Sequence, residues 1–310
     1  MSSSDLYQRI TDTIVEQINT GTLPWVKPWS GNGSSMGLNM LPKNHATGRH
    51  YNGVNVLILW MAATANGYAH PRWLTFNQCK ALGGSVKKGS KATEIVYFTK
   101  IPNKGKPGMT KEEIAKLPPI PILKSFYVFN VAQCEGLELP TVEPVREPKE
   151  PMTQIRAIED AIVATKASIH YGVNNDRAYY NPAVDYINMP LFACFHNVPS
   201  YYGTIFHELT HWTGHKDRLA REGITNPIKF GSEDYAFEEL IAELGAAFCC
   251  ASVGLDTITR TDEVNHAGYI KSWLRKLESD NRYIFRAASA ATKAMDWLLP
   301  VTTEDDGEGE

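Results

Sequence analysis

Long hydrophobic runs are missing from this 310-residue chain: no stretch approaches 18 apolar residues, which excludes a membrane-spanning helix. The segment Met1 to Arg9 is polar and does not read as a secretory signal. Cysteine is sparse. The five residues Cys79, Cys134, Cys194, Cys249 and Cys250 are odd in number and form no C-x-x-C pair. That excludes a disulfide framework and a cysteine zinc site and fits a reducing cytoplasm. No internal repeat is present. With 43% hydrophobic and 21% charged residues, a packed globular protein is expected.

The net charge of −3 conceals a split. Residues 1–135 hold 15 Lys and Arg against 7 Asp and Glu, a net of +8, and residues 136–310 hold 16 against 27, a net of −11. Such asymmetry fits a first half that meets a polyanion. The plainer alternative is basic surface that only keeps the chain soluble.

Leu6, Ile10, Ile14 and Ile18 recur every four residues and predict an amphipathic helix, capped at Ser4 and stopped at Gly21. A buried helix is expected over Asn55–Ala65, and a short one over Phe76–Leu82 behind a Thr75 cap. Strands are expected at Glu94–Lys100 and Ser125–Val131, with a long loop over 102–119 between them. Residues 136–152 are rich in Pro and Glu and read as a linker. Beyond it a helix is expected from Thr153 to Ser168, then a hairpin with Asn181-Pro182 at its turn. Four more helices follow: Tyr201–Gly214, Asp234–Val253, Asp262–Ser279 and Asn281–Leu299. The acidic tail, 301–310, reads as disordered. The whole is an α+β chain of two domains. Residues 1–135 are mixed α/β, and residues 153–300 are mostly helical with a small sheet.

On a helix, residues four apart stack on one face. His207 and His211, in the run His207-Glu208-Leu209-Thr210-His211, therefore present two imidazoles to one ion. Zinc takes such ligands and in catalytic sites keeps a position for water, whose proton Glu208 can accept as general base. The pattern arises by chance in on the order of one chain in a hundred of this size, so its apolar context (Ile205, Phe206, Leu209, Trp212) matters. A third ligand is needed. The next helix sets Glu238, Glu239 and Glu243 among Phe237, Leu240, Ile241, Leu244 and Phe248, and carboxylates are costly there unless paired or metal-bound. Glu239 is assigned as third ligand and Glu243 as acceptor for the outer N–H of a ligand histidine; the reverse remains open. His215 reads as a loop residue past the helix end. Tyr201, Tyr202 or Tyr235 could donate to an oxyanion, although packing is the plainer role for each. Cys249 and Cys250 read as core.

In the first half, aromatics alternate with cations: Trp25, Lys27 and Trp29, then Arg49 and Tyr51, Arg72 beside Trp73, and Lys87-Lys88 with Lys91 ahead of Tyr97 and Phe98. Single-stranded nucleic acid needs this combination, because bases stack on rings and phosphates pair with cations. Candidate contacts are Trp25, Lys27, Trp29, Arg49, Tyr51, Arg72, Lys87 and Lys88. Trp60, in an apolar helix, reads as core.

The chain resembles a known family, the ArdC-type antirestriction proteins of conjugative plasmids, over nearly its full length. The first half carries the resemblance in Leu23–Trp29, Thr47–Asn55, Trp73–Gln78, Gly83–Gly89 and Tyr127–Asn130, and the second in His207–His215 and Glu238–Glu243. The resemblance implies a single-stranded-DNA-binding domain joined to a zincin-like metalloprotease domain. It also implies protection of incoming plasmid DNA from host restriction. A restriction enzyme or another DNA-bound protein is the candidate peptidase target, because a protease on the same strand meets it at raised local concentration. Two competitors stand beside the DNA-guided protease: a DNA-coating protein whose zinc is structural, and a metal-dependent nuclease, which would want a more carboxylate-rich site.

Overall fold

The computed structural model describes residues 3–26, 40–139, 151–174, 177–226, 232–255 and 266–300. The four-residue stripe forms helix α1 (Ser3–Asn19), with Leu6, Ile10, Ile14 and Ile18 all buried. Helix α2 (Val54–Asn66) is apolar nearly all round and buried; Gly67, at φ 64, ends it. A capping box between Thr75 and Gln78 starts α3 (Phe76–Ala81). Strands β1 (Lys43–Asn44), β2 (Arg72–Leu74), β4 (Thr93–Ile101) and β5 (Ile120–Asn130) form one sheet in the order β1-β2-β5-β4. Strands β3 (Ser85–Val86) and β6 (Cys134–Glu135) make a separate ribbon.

One expectation needs correction here. The stretch 102–119 is not all loop: α4 (Lys111–Ala115) starts on a Thr110–Glu113 capping box, and β5 begins at Ile120. Strands β1, β2, β3 and β6 have two or three residues each, too short to show an alternating pattern.

In the second half, α5 (Pro151–Ala164) ends earlier than expected. Lys166, at φ 59, turns the chain into β7 (Ser168–Tyr171). The hairpin forms from β8 (Tyr179–Asn181) and β9 (Tyr186–Met189), and β9 pairs in parallel with β7. Then come α6 (Val198–Thr213), α7 (Glu222–Thr225), α8 (Glu233–Ser252), α9 (His266–Ser279) and α10 (Tyr283–Leu298). The linker core at 140–150, the tail at 301–310 and the expected helix start at Asp262 lie outside the described residues.

The two halves share a core. One apolar cluster joins α1 and α2 to Leu240, Leu244 and Phe248 of α8, Trp273 of α9 and Phe285 of α10. Trp25 meets Trp273 edge-on at 6.0 Å, and Trp60 meets Phe248 at 5.8 Å. A second cluster packs Ala246, Cys249 and Cys250 of α8 against Tyr202, Ile205, Phe206 and Leu209 of α6. Helix α8 thus forms a wall common to both clusters.

Candidate metal centre

Asn197 caps α6 by accepting from the Ser200 N–H (2.8 Å), and Pro199 occupies its first turn. From Thr204 to Thr213 every residue of the helix is buried. Helix α8, capped at Ser232, crosses it closely. At the crossing a Cβ on Gly245 would fall 2.5 Å from Thr210 Oγ1, so only glycine lets the helices approach this far. That approach carries the acids of α8 to the histidines of α6.

His207, His211 and Glu239 offer ligand atoms that all lie within 4.8 Å of one another. The two Nε2 atoms face each other at 3.1 Å, and each is 3.5 Å from a Glu239 carboxylate oxygen. The outer ring nitrogens point to other carboxylates: His207 Nδ1 lies 3.5 Å from Glu243 Oε1, and His211 Nδ1 lies 3.3 Å from Glu238 Oε1. Each imidazole is thereby oriented from behind, as metal-ligand histidines generally are. Glu208, on the same helix, is buried, and its charge reaches His211.

Glu238 and Arg221 were not assigned from sequence. The guanidinium of Arg221 donates to Glu238 through Nε (3.1 Å) and Nη2 (2.6 Å), to the Thr210 carbonyl (2.5 Å) and to Thr213 Oγ1 (2.8 Å). Burial by itself would raise the Glu238 pKa, but His211 and Arg221 together pull it below the usual range. Glu239 is likewise held far below that range, because bonding to both histidines outweighs its burial. Burial would lower His211, yet Glu238 and then Glu239 push it up to about 10. Three carboxylates around two imidazoles give a buried site with excess negative charge. Proton sharing between His and Glu relieves it, and a divalent cation with these nitrogen and oxygen donors fits it equally well.

Of the three tyrosines, Tyr202 donates to Glu159 (2.6 Å), and Tyr201 packs edge-on against Phe192 and Phe195. Tyr235 lies at the cluster: burial first, then the charge of Glu239, then Tyr269 raise its pKa, so its hydroxyl stays protonated. His215 lies beyond the helix and faces Asp217 at 3.4 Å. Cys249 and Cys250 are buried, and burial raises both thiols, Cys250 to about 12.

The expected nucleic-acid contacts fall differently. Trp25 is a correction: it is 1% exposed, wedged against Trp273, so neither ring face can meet a base. Lys27 and Trp29 lie outside the described residues. Arg49 is exposed and Arg72 half-buried, both on the β1–β2 side, where Tyr51 packs on the core and its hydroxyl accepts from Asn44 (3.3 Å). Lys87 and Lys88 are exposed beside the β3–β6 ribbon. Exposed rings gather instead on the β4–β5 hairpin, with Phe76 exposed on α3. Tyr97 (55%) and Phe126 (44%) meet edge-on at 5.8 Å, and Lys124 stands opposite Tyr97.

Two family models match the chain: the N-terminal domain of anti-restriction factor ArdC over residues 4–129, and a zincin-like metallopeptidase over residues 156–290. The uncharacterized protein y4eC of Sinorhizobium fredii is 36% identical over 296 residues, which cover 95% of this chain and 92% of that protein. A DNA primase TraC of Escherichia coli is 35% identical over 308 residues; the match takes in 94% of this chain but only 27% of the primase. Among solved structures, the metal-free antirestriction ArdC protein from R388 plasmid superposes with a TM-score of 0.75 at 40% identity, covering 95% of this chain and 96% of that one. Its Mn(II)-bound form gives a TM-score of 0.72 at 39% identity, covering 94% and 96%. Among the described residues, no helix is long and apolar enough to cross a membrane.

Proposed function

The chain belongs to the family of ArdC-type antirestriction proteins, and from that premise we propose that it binds single-stranded DNA in the cytoplasm and carries a working metallopeptidase site, protecting incoming plasmid DNA from restriction. The observation that carries the peptidase reading is Glu208 beside the converging His207, His211 and Glu239. A metal held only for structure needs no base between its ligands.

His207, His211 and Glu239 would hold the metal, zinc by the chemistry of the donor set; manganese is the alternative, since a relative has been solved with it. When bound, such an ion supplies a Lewis acid that polarises a peptide carbonyl and acidifies water. Glu208 takes a proton from the attacking water and returns it to the leaving amine. Glu243 and Glu238 keep the two imidazoles in one tautomer and orientation. Tyr235, a neutral donor beside Glu239, would hydrogen-bond the developing oxyanion. The single-strand reading draws support from the hairpin, where exposed Tyr97 and Phe126 accompany Lys100 and Lys124. A protein already on the strand, such as a restriction enzyme, is then the natural substrate, because a shared strand raises its local concentration.

Glu208→Gln tests this reading. The variant should keep one metal per chain and full DNA affinity but lose cleavage of a DNA-bound protein. Cleavage at the wild-type rate removes Glu208 as the base. A variant that cleaves nothing yet protects plasmid DNA as well as wild type in a conjugation assay makes the protein a strand-coating factor whose chemistry is dispensable.

A further inference from the structure

Residues 17–93 contain no Asp or Glu, yet they hold eight Lys and Arg and three of the nine histidines. The fold gathers five of these. Parallel pairing of β1 with β2 sets Lys43 opposite Arg72, so two long cationic side chains leave the same face of the sheet side by side. A bridge joins the Lys43 backbone to His50. The His45 N–H donates to the Trp73 carbonyl (2.8 Å), which holds it beside β2, and His70 sits just before β2 with its carbonyl accepting from Asn130 Nδ2 (2.8 Å). The backbone beneath is fixed. Asn44 Oδ1 accepts from the N–H groups of Ala46 and Thr47, both at 3.0 Å, and its amide donates to Gln78 Oε1 at 3.1 Å.

Lys43, His45, His70 and Arg72 are each half-buried. Burial and then Arg72 lower the pKa of Lys43, of His45 and of His70, with His70 adding to the effect on His45; burial and then Lys43 lower His50. Among the described residues, no carboxylate acts on any of these four groups. Like charges set directly opposite one another destabilise a sheet, and no carboxylate among the described residues offsets them here. An anionic ligand would.

We propose that Lys43, His45, His70 and Arg72, with His50 beside Lys43, form a binding site for a phosphate group, occupied by a backbone phosphodiester of single-stranded DNA. The identity of the ligand rests on the single-strand reading above; the existence of the site does not. Arg72 supplies a planar donor fork and Lys43 a point charge, and the imidazoles become donors once protonated. A bound phosphate raises the histidine pKa values, so binding strengthens as pH falls through their range.

The test uses the full chain and a labelled oligothymidine, with anisotropy read across salt concentrations at pH 8 and pH 6. Arg72→Gln and Lys43→Gln should each weaken binding about tenfold at low salt and flatten the log–log salt slope by about 0.7. Arg72→Lys, which keeps the charge, should retain most of the affinity. Lys271→Gln removes the same charge from exposed surface of α9 and should change nothing. The double variant His45→Gln/His70→Gln should lose the gain in affinity between pH 8 and pH 6. Wild-type affinity and slope in Arg72→Gln would overturn the proposal. Should wild type ignore the oligonucleotide, the single-strand reading fails, and inorganic phosphate decides the rest. Movement of the His45 and His70 NMR signals in wild type but not in Arg72→Gln keeps a phosphate site with a small anion as its ligand. No movement overturns it.

Discussion

Replacing Arg221 with Met removes a guanidinium that makes hydrogen bonds to Glu238, the Thr210 carbonyl and Thr213. Glu238 is then left almost wholly buried with His211 as its remaining partner among those described. Breaking one side of a buried ion pair costs about 3–5 kcal/mol. For a chain of 310 residues that lowers the melting temperature by about 5–8 °C. The double variant Arg221→Met/Glu238→Leu removes both charges and keeps the volume apolar, so most of the lost stability should return. Metal affinity should behave otherwise. Without Glu238 the His211 Nδ1 loses its acceptor, and affinity should stay about 10–100-fold below wild type in the double variant. Thermal melts of metal-free protein and competition with a chromophoric chelator measure the two effects separately. A double variant as unstable as the single one would show that the buried pair is not the source of the loss. Wild-type metal affinity in the double variant would show that Glu238 does not orient His211.

Further outcomes are expected. Metal binding at pH 7 should release a proton, because His211 is pushed up to about 10 without metal; calorimetry in buffers of different ionisation enthalpy should show it, and heats independent of buffer would refute it. In metal-free protein the same raised pKa contributes stability fully present below about pH 6.5 and lost as pH rises through about 10. Gly245→Ala should cost about 1–3 kcal/mol by forcing α6 and α8 apart and should weaken metal binding at the same time; an unchanged melting temperature would contradict the close crossing. Trp25→Ala should destabilise the fold by about 3–5 kcal/mol, whereas Phe126→Ala should leave stability intact and weaken single-strand binding by about 1–3 kcal/mol, as denaturant melts and anisotropy would show.

The parts of the site that could be read from sequence are those fixed by helical spacing. His207 and His211 share a face whatever surrounds them, and Glu239 and Glu243 stand out as acids in an apolar helix. Glu238 is one position round on the same helix, but its role depends on Arg221, which reaches it from the segment after α6. No local pattern announces that contact. Trp25 departs from its local sequence pattern for a related reason. Prolines and a lysine beside a tryptophan resemble a stacking platform, but its burial is decided by Trp273 near the other end of the chain. Exposure on the β4–β5 hairpin was equally hidden, since alternation gives two faces and packing alone determines which is covered. Long helices were legible from their period. Strand β7 was not, because its sheet neighbour β9 is separated from it in sequence by β8.

Helix α8 has little surface to spare, and this bears on inheritance. A recombination event that gave the second half a foreign first half would strip the cover from Leu240, Leu244 and Phe248, and the reverse exchange would uncover Leu6, Ile14 and Trp25. Either hybrid gene would encode an aggregating product unless its new partner happened to match the shape. The smallest segment that can pass between replicons and still fold is therefore close to the whole block of about 300 residues. The primase sequence is similar to that whole block, with 94% of the present chain matched inside 27% of a much longer polypeptide.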